Sequence, residues 1–306
     1  MLSKIKKGFK NPYLLLMHLG RQWPWRHLIS DKQFVSLFYR AYHHRPLNLT
    51  NPQTFNEKLQ WLKLYDRKEE YTQLTDKYLV RQYVKEKIGE QYLVPLLAVW
   101  DRPEDINFSK LPNQFVLKCN HDSHSVVICR DKETLDKKAA IKKLLKAFNT
   151  QYFWKGREHN YKNIQRKIIA EKYITDQNSD ELTDYKYFCF NGIPYFVQVD
   201  SNRFTNHTRN FYDIDWNFIN VEYGCKNNPF KIDPKPKAHE KILQLASILA
   251  AGIPHVRVDF YVLENHIYFG ELTFHHGGGG MMVSPQEYDQ LWGSYLVLPN
   301  KNNAKN

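Results

Sequence analysis

Two carboxylates near the C-terminus of the chain, Asp259 and Glu271, are spaced so that they could share a cation. They lie in two runs of β-branched and aromatic residues that flank a turn signal, namely Val256–Leu263 and Ile267–Phe274 with Glu264-Asn265 between them. A β-hairpin would place the two carboxylates almost opposite each other, with Cβ atoms roughly 5 Å apart. Carboxylates this close repel each other unless a cation or a proton lies between them. Oxygen ligands on rigid strands suit Mg²⁺, and a salt bridge from Arg257 is the alternative interpretation.

A lysine on a second predicted strand could contact a phosphate. Lys118 lies in the run Phe115–Cys119 and points to the face opposite Phe115 and Leu117. A polar loop of small residues follows directly. The ammonium would supply a fixed positive charge and the loop would supply backbone N–H donors, which is what a nucleotide phosphate site needs. A solvated surface lysine is the alternative interpretation.

Further segments complete a recognisable set. They are Ile168–Ile174 (IIAEKYI), a hairpin over Asp184–Asp200 with Asn191-Gly192 at its turn, and the N-terminal blocks Asn51–Arg67 (NPQTFNEKLQWLKLYDR) and Thr75–Gly89 (TDKYLVRQYVKEKIG). Together with the Lys118 strand and the acidic hairpin, they resemble the ATP-grasp superfamily, and most closely its TupA-like branch, named after a teichuronopeptide biosynthesis protein. The resemblance covers most of the chain.

The resemblance implies a role for each matching residue that would bind the nucleotide. Lys118 matches the lysine that contacts the α-phosphate. Glu171 matches the hinge position that binds adenine or ribose, and Lys186 matches a basic residue on the floor of the nucleotide site. His121 and Ser123 belong to the loop that would cover the phosphates. ATP is the cofactor that these positions imply.

The metal and catalytic positions follow from the same resemblance. Asp259 and Glu271 match two Mg²⁺ ligands, and Thr273 stands at a third metal position where ATP-grasp enzymes usually have Asn. Arg257 matches the arginine that approaches the γ-phosphate or the acyl phosphate. Arg257 and Lys186 are therefore the expected catalytic residues.

The phosphate loop departs from the family pattern. The branch usually has a glycine-rich loop, whereas this chain has His121-Asp122-Ser123-His124-Ser125. Without glycine the backbone cannot readily adopt positive φ or lie close to a triphosphate. Asp122 would add a repelling negative charge, so we expect Asp122→Gly to tighten ATP binding.

The activity implied by the resemblance is ATP-dependent carboxylate–amine ligation through an acyl phosphate. The substrates would be small-molecule or saccharide carboxylates and amines in bacterial surface polysaccharide synthesis, such as capsule, O-antigen or teichuronic-type polymers. Two alternatives stay open. One is a glycosyltransferase that uses the D-x-D motif at Asp213 and Asp215, and the other is a degenerate, non-catalytic ATP-grasp protein.

Composition sets limits on partners and location. The 306 residues carry a net charge of +12, and 15% are aromatic, which predicts a folded protein with anionic partners. No nucleic-acid-binding motif is present. Basic residues cluster before and around Trp23 and Trp25, at positions 4, 6, 7, 10, 21 and 26, and could rest on the inner face of a membrane. A solvated basic helix is the alternative. The apolar run near the N-terminus is too short for a signal peptide, so we expect a cytoplasmic protein.

The pattern of elements predicts an α+β protein with the ATP-grasp fold and a helical N-terminal region. We expect that region over 1–90, a catalytic region over 91–300 with a smaller lobe (about 91–178) and a larger lobe (about 179–300), and a disordered tail over 301–306. The expected helices are Asp31–His43, Thr54–Tyr65, Glu69–Gly89, Asp136–Asn149 and Ala238–Ala251. A strand is expected at Tyr92–Trp100.

Overall fold

The computed structural model of the chain describes residues 11–22, 24–123, 125–175, 183–201, 207–263 and 266–300. Its helices there are α1 (Pro12–Leu19), α2 (Trp25–Leu28), α3 (Asp31–His43), α4 (Phe55–Tyr65), α5 (Glu70–Thr75), α6 (Val80–Lys87), α7 (Lys137–Phe148), α8 (Phe153–Gly156), α9 (His239–Ala250) and α10 (Glu287–Tyr295). Its strands are β1 (Leu96–Trp100), β2 (Phe115–Cys119), β3 (Val127–Cys129), β4 (Ile168–Lys172), β5 (Asp184–Phe190), β6 (Ile193–Ser201), β7 (Thr208–Asp213), β8 (Phe218–Ile219), β9 (Glu222–Tyr223), β10 (His255–Leu263), β11 (His266–Thr273) and β12 (Val283–Ser284). The described strands pair antiparallel within their sheets, and the predicted α+β class is confirmed.

Two long helices of the N-terminal region begin with capping boxes. The Ser30 hydroxyl accepts the backbone N–H of Gln33, whose side chain in turn accepts the N–H of Ser30, and Thr54 and Glu57 make the same exchange at α4. These caps satisfy backbone donors that a helix start leaves unpaired. The predicted helices at Asp31–His43 and Thr54–Tyr65 are therefore confirmed to within one residue.

The predicted helix over Glu69–Gly89 is wrong as a single helix, because the chain breaks between α5 and α6. At the break, the carboxylate of Asp76 accepts the backbone N–H groups of Tyr78 and Leu79, at 2.8 and 3.2 Å. The other carboxylate oxygen of Asp76 accepts from Asn120 at 2.9 Å. These bonds replace helical ones and turn the chain toward β2.

The smaller sheet has the strand order β1-β4-β2-β3, with α7 packed on one face. Burial alternates along β2, so that Phe115, Leu117 and Cys119 are buried and Lys118 is on the opposite face, as predicted. The predicted strand at Tyr92–Trp100 begins later than expected, at Leu96. Pro95 precedes it and has no N–H for a sheet, and the chain before it forms a short 3₁₀ turn.

The larger sheet has the order β11-β10-β5-β6-β7-β8. The predicted hairpin between β5 and β6 is present, and its turn residues Asn191 and Gly192 adopt φ values of 50° and 84°. The predicted turn Glu264-Asn265 lies outside the described residues. One face of the sheet packs on α9 through side chains such as Tyr187, Val199 and Val258. The opposite face is aromatic at one end and charged at the other.

The N-terminal helices are joined to the C-terminal segment. The carboxylate of Asp289 on α10 accepts the backbone N–H and the amide of Asn56 on α4, both at 3.0 Å. Lys58 donates to the carbonyls of Gly293 and Leu296, both at 2.7 Å. Phe55, on α4, lies in the same aromatic core as Trp292 on α10 and the aromatic end of the larger sheet.

Helix α1 packs on α3 through Met17, which is fully buried. Its outer face carries Leu15, Leu16 and Leu19, which are exposed. Within the described ranges, none of the helices combines the length and the apolar character needed to cross a bilayer. The basic positions 4–10, Trp23 and the predicted tail 301–306 lie outside the described residues.

Candidate active site

A band of charged side chains crosses the larger sheet on the face opposite α9. The strand register sets it, because Glu271 on β11 pairs with Asp259 on β10, and Asp259 pairs with Lys186 on β5. Asp184 and Asp200 continue the band on β5 and β6. Alternate residues of a strand share a face, so each of these side chains points to the same side of the sheet.

The predicted opposition of Asp259 and Glu271 is present, with Arg257 between them. The guanidinium of Arg257 binds Asp259 through two bonds, Nε–Oδ1 at 2.7 Å and Nη2–Oδ2 at 2.6 Å. Its Nη2 also donates to Glu271 Oε1 at 3.2 Å and to Thr273 Oγ1 at 3.1 Å. The alternative salt bridge and the predicted carboxylate pair are thus found together.

Lys186 is the second cation of the band, and three carboxylates surround its ammonium. It binds Asp184 directly, and its Nζ lies 3.6 Å from both Asp200 Oδ2 and Asp259 Oδ2. Asp200 is also bound by Arg209, whose Nε lies 2.8 Å from Oδ1. Each acid of the band therefore faces at least one cation, and for the buried acids Asp184, Asp200 and Asp259 an unpaired charge would be costly.

The two predicted metal ligands differ in their proton affinity. Burial raises the pKa of Asp259 to about 6, although Arg257 and Lys186 act against that rise. Burial also disfavours the charged form of Glu271, but Lys77 and Arg257 outweigh it and lower its pKa. Lys77 comes from the α5–α6 turn, and its Nζ lies 3.8 Å from Glu271 Oε2.

The band suits a hard divalent cation that completes its shell elsewhere. Over the described ranges, no three carboxylate, imidazole or thiol side chains converge to form a complete protein metal site. Asp259, Glu271 and the Thr273 hydroxyl nevertheless form a contiguous set of oxygen donors, with Thr273 Oγ1 3.0 Å from Glu271 Oε1. Mg²⁺ commonly takes one or two carboxylates and fills its other positions with water and phosphate oxygens. The donor set fits that pattern.

The predicted nucleotide residues Lys118 and Glu171 meet in a cleft between the two sheets. Lys118 Nζ lies 2.6 Å from Glu171 Oε2, and Arg81 approaches Glu171 Oε1 at 3.5 Å. Tyr261 and Phe269 of the larger sheet line the opposite wall. The cleft has a volume of only about 30 Å³. Side chains rather than open space therefore fill the place where a nucleotide would lie.

The loop after β2 is organised around Asp122. Its carboxylate accepts the hydroxyl of Ser125, and its carbonyl accepts the ammonium of Lys77 at 2.6 Å. His121 is buried, and its ring lies edge-on to Phe148 of α7, 6.1 Å between centroids. Ser123 lines a separate cavity that extends to Thr273. The two predicted loop residues therefore lie in different surroundings. His121 packs into the smaller lobe, whereas Ser123 faces the charged end of the larger sheet.

Several functional candidates were not predicted as site residues. Lys77 and Arg81 lie in the block Thr75–Gly89, which the sequence analysis quoted for the family resemblance, so their pattern carried a usable signal. Asp184 and Asp200 occupy the ends of the hairpin that was predicted, but their charge was not assigned a role. The D-x-D motif has a local structural role, because Asp213 accepts the backbone N–H groups of Asp215 and Asn217 in the β7–β8 turn.

Comparison with known proteins places this arrangement in a family. A family model described as TupA-like ATPgrasp matches residues 57–297. No curated protein sequence matches the chain significantly.

Several solved structures are similar at low identity. A D-alanine–D-alanine ligase from Bacillus anthracis, complexed with ATP, is 16% identical with a TM-score of 0.40, over 66% of this chain and 53% of that one. The corresponding ligase from Helicobacter pylori is 13% identical with a TM-score of 0.44, over 81% of this chain and 68% of that one. An N5-carboxyaminoimidazole synthase from Aspergillus clavatus is 12% identical with a TM-score of 0.39, over 66% and 44%. The chain thus spans about half the length of the Bacillus anthracis ligase, and these matches carry no argument about its activity.

Proposed function

The chain belongs to the TupA-like ATP-grasp family, and from this premise we propose that it is an ATP- and Mg²⁺-dependent carboxylate–amine ligase. The observation that carries the proposal is the meeting of Asp259, Glu271, Arg257 and Lys186 on one face of the larger sheet. Oxygen donors for a metal and cations for phosphates are what phosphoryl transfer from ATP requires.

Asp259 and Glu271, with Thr273, would hold the metal. Mg²⁺, when bound, would neutralise phosphate charge and orient the β- and γ-phosphates. Arg257 would offset charge as the γ-phosphoryl group passes to a carboxylate oxygen of the substrate. Lys186 stays among its acids and keeps the floor of the site positive. An amine then displaces phosphate from the acyl phosphate and forms an amide.

Nucleotide binding requires Lys118 to leave Glu171. A cleft of about 30 Å³ cannot admit an adenine ring, so the two sheets must also separate. Glu171 keeps Arg81 when Lys118 turns to a phosphate, which lowers the cost of the exchange. Glu171 would then offer a carboxylate to the ribose or the adenine.

We place the reaction in bacterial surface polysaccharide synthesis, on the strength of the family relationship, with a saccharide or amino-acid carboxylate as one substrate. The glycosyltransferase alternative has less support, because Asp213 is engaged in its own turn and the family is one of ATP-grasp proteins. The degenerate, non-catalytic alternative is supported only by the glycine-free loop.

The α1–α2 region supplies a surface for an anionic membrane, which is part of the same proposal. Leu15, Leu16 and Leu19 of α1 are exposed, as are Trp25 and Leu28 of α2. The sequence around them is basic, which suits anionic lipid headgroups. Replacing Leu15 and Leu19 with Ser should abolish sedimentation with phosphatidylglycerol vesicles, whereas Ile248→Ser, at another exposed apolar position, should not. Equal sedimentation of both variants would exclude this surface.

A nucleotide panel tests the central proposal. Mg-ATP at about 100 times its Kd should raise the free energy of unfolding by about 2.7 kcal/mol, and a UDP-sugar should not. Hydroxylamine should then trap an acyl phosphate as a hydroxamate when a suitable carboxylate is added, from a panel of glucuronate, galacturonate and amino acids. Stabilisation by UDP-sugars but not by Mg-ATP would refute the ligase and favour the glycosyltransferase.

A further inference from the structure

A second cavity of about 280 Å³ lies beside the charged band, between the N-terminal helices and the glycine-rich segment after β11. We call it the rear pocket. Thr273 and Ser123 line it, so it opens toward the predicted metal ligands. Tyr152 and Tyr161 also line it, and each interacts electrostatically with both Glu158 and Glu271. The pocket therefore spans the distance between Glu158 and the phosphate end of the active site.

Glu158 is the acidic side chain that faces the rear pocket, and it is only 8% exposed. Among the described residues, no side chain or backbone group donates a hydrogen bond to its carboxylate. The nearest buried cation, Lys63, gives its ammonium instead to the carbonyls of Gly156 and Gly278, at 3.0 and 2.8 Å. Lys63, Lys155 and Arg21 interact with it electrostatically, and a carboxylate in this state can accept a hydrogen bond from a group outside the chain.

The surrounding backbone makes room for that carboxylate. A Cβ at position 156 would lie 2.7 Å from Glu158 Oε1, so only glycine leaves the carboxylate in place. On another side of the pocket, Gly277, Gly278 and Gly279 have φ values of 59°, 61° and 66°. Residues with a side chain rarely adopt this left-handed conformation. The carbonyl of Gly278 also accepts from Gln60 of α4 at 3.0 Å, which fixes this wall.

The walls of the pocket are aromatic. Phe38 and Tyr42 on α3 line it together with Tyr152 and Tyr161. Aromatic faces attract an organic cation, and a carboxylate at the end of such a pocket fixes its position. Arg21 and Lys155 stand at the same pocket and would repel a bare cation, but Lys155 is exposed and stacks on the Tyr152 ring at 4.4 Å.

We infer that the rear pocket binds the amine substrate as its primary ammonium ion, and that Glu158 holds this group and accepts its proton. The inference rests on the proposed ligase function. Transfer of one proton to Glu158 leaves a neutral amine. The nitrogen lone pair then forms the C–N bond to the acyl carbon, the C–O bond to phosphate breaks with its electron pair, and the second proton leaves with the phosphate. Burial raises the pKa of Glu158 to about 7, which suits this transfer.

Two assays separate the pocket from the ligase activity. The first measures hydroxamate formation from ATP, Mg²⁺, hydroxylamine and the carboxylate panel, and needs no ammonium site because hydroxylamine is largely uncharged near neutral pH. The second measures binding of D-glucosamine and of the common α-amino acids by calorimetry, each beside its N-acetylated form. The two groups of probes distinguish an amino sugar from an amino acid as the source of the ammonium group.

Glu158→Gln should weaken binding of the preferred ammonium probe by about 10- to 100-fold. Glu158→Asp keeps the charge and should recover part of the affinity. Asp66→Asn is the matched control, because it removes a buried carboxylate that binds Tyr71 and does not line the pocket. Gly156→Ala should displace the Glu158 carboxylate without removing its charge and should also weaken binding.

The outcomes are distinct for the two hypotheses. Wild-type protein that makes no hydroxamate with any carboxylate refutes the ligase but leaves ammonium binding as a direct test of the pocket. Equal binding by wild type and Glu158→Gln, equal binding of acetylated and free amines, or no binding of any ammonium probe overturns the rear pocket assignment.

Discussion

Lys118 in the smaller sheet and Lys186 in the larger sheet are both matched to the nucleotide site, but their surroundings differ. Among the described residues, Lys118 has one acidic partner, Glu171, at 2.6 Å, and 18% of its side chain is exposed. Lys186 faces three carboxylates, and 7% of its side chain is exposed. The single ion pair between Lys118 and Glu171, at the edge of a cleft, can separate when a phosphate binds Lys118. A cluster in which every acid has a cation is a fixed framework, since moving one partner strands a buried charge.

The largest expected effect comes from breaking the framework at its metal end. Glu271→Gln removes one negative charge but leaves the bidentate Arg257–Asp259 pair intact. We expect kcat for hydroxamate formation to fall by about 100-fold or more, because charge stabilisation at the transferred phosphoryl group is worth several kcal/mol. Steady-state kinetics at saturating Mg-ATP measure this.

The fold of that variant should persist. A thermal unfolding midpoint close to that of wild type is the control, and Asp259→Asn serves as contrast because it deprives Arg257 of its main partner. Full activity of both variants would show that neither acid binds the metal.

Breaking the single pair of the smaller sheet should affect binding rather than chemistry. Lys118→Met keeps the length and the apolar stem but removes the charge, so the free energy of Mg-ATP binding should weaken by about 1.5–3 kcal/mol. Calorimetry measures the Kd. Lys172→Met, at an exposed lysine on the neighbouring strand β4, is the matched control and should bind normally. An unchanged Kd in Lys118→Met would return Lys118 to the surface-lysine interpretation.

The loop beside Lys118 gives a smaller effect, and one opposite to that expected from the sequence. Asp122 turns its carboxylate inward to the Ser125 hydroxyl, so Asp122→Gly should lower the free energy of unfolding by about 1–3 kcal/mol. It should not tighten Mg-ATP binding. Chemical denaturation measures the first quantity and calorimetry the second.

Ser125→Ala tests the same bond from its other end. Its cost should overlap with that of Asp122→Gly, so that the double variant loses less stability than the two single variants together. Strict additivity would mean that the Asp122 and Ser125 side chains do not interact. Tighter nucleotide binding in Asp122→Gly would mean that Asp122 repels the triphosphate after all.

The last expected effect concerns Glu158, which lacks the close cations of the framework. Burial raises its pKa from 4.5 to about 7, so its folded form binds protons more tightly than its unfolded form. The stability that the protonated group contributes is full below about 4.5 and is lost as the pH rises through about 7. Wild type should therefore lose stability over this window relative to Glu158→Gln, as measured by urea denaturation in a pH series. Parallel curves for the two proteins would contradict the raised pKa.

Sequence periodicity predicted the strands that carry the acidic pair, because alternation is a local property. The Asn191-Gly192 signal, which predicted the β5–β6 hairpin, is local too. Periodicity also predicted the partners across the acidic hairpin, since a fixed turn fixes the register. The break at Asp76 was missed because Asn120 helps to hold it. Asn120 is distant in sequence, so no local pattern indicates this contact. Glu158 was missed for a related reason. The proposal for Glu158 rests on the absence of a hydrogen-bond donor to its carboxylate among the described residues, and the absence of a contact cannot be read from a sequence.

The joint between α4 and α10 has a consequence for synthesis of the chain. Asn56 finds its partner Asp289 only 233 residues later. At about 5–20 residues per second, a ribosome needs roughly 10–50 s to deliver that partner. During this time Phe55 on α4 lacks its aromatic neighbour Trp292 and its apolar side chain stays exposed. We therefore expect chaperones to bind this side of α4 until translation is almost complete. A ribosomal pause late in the message would lengthen that exposure.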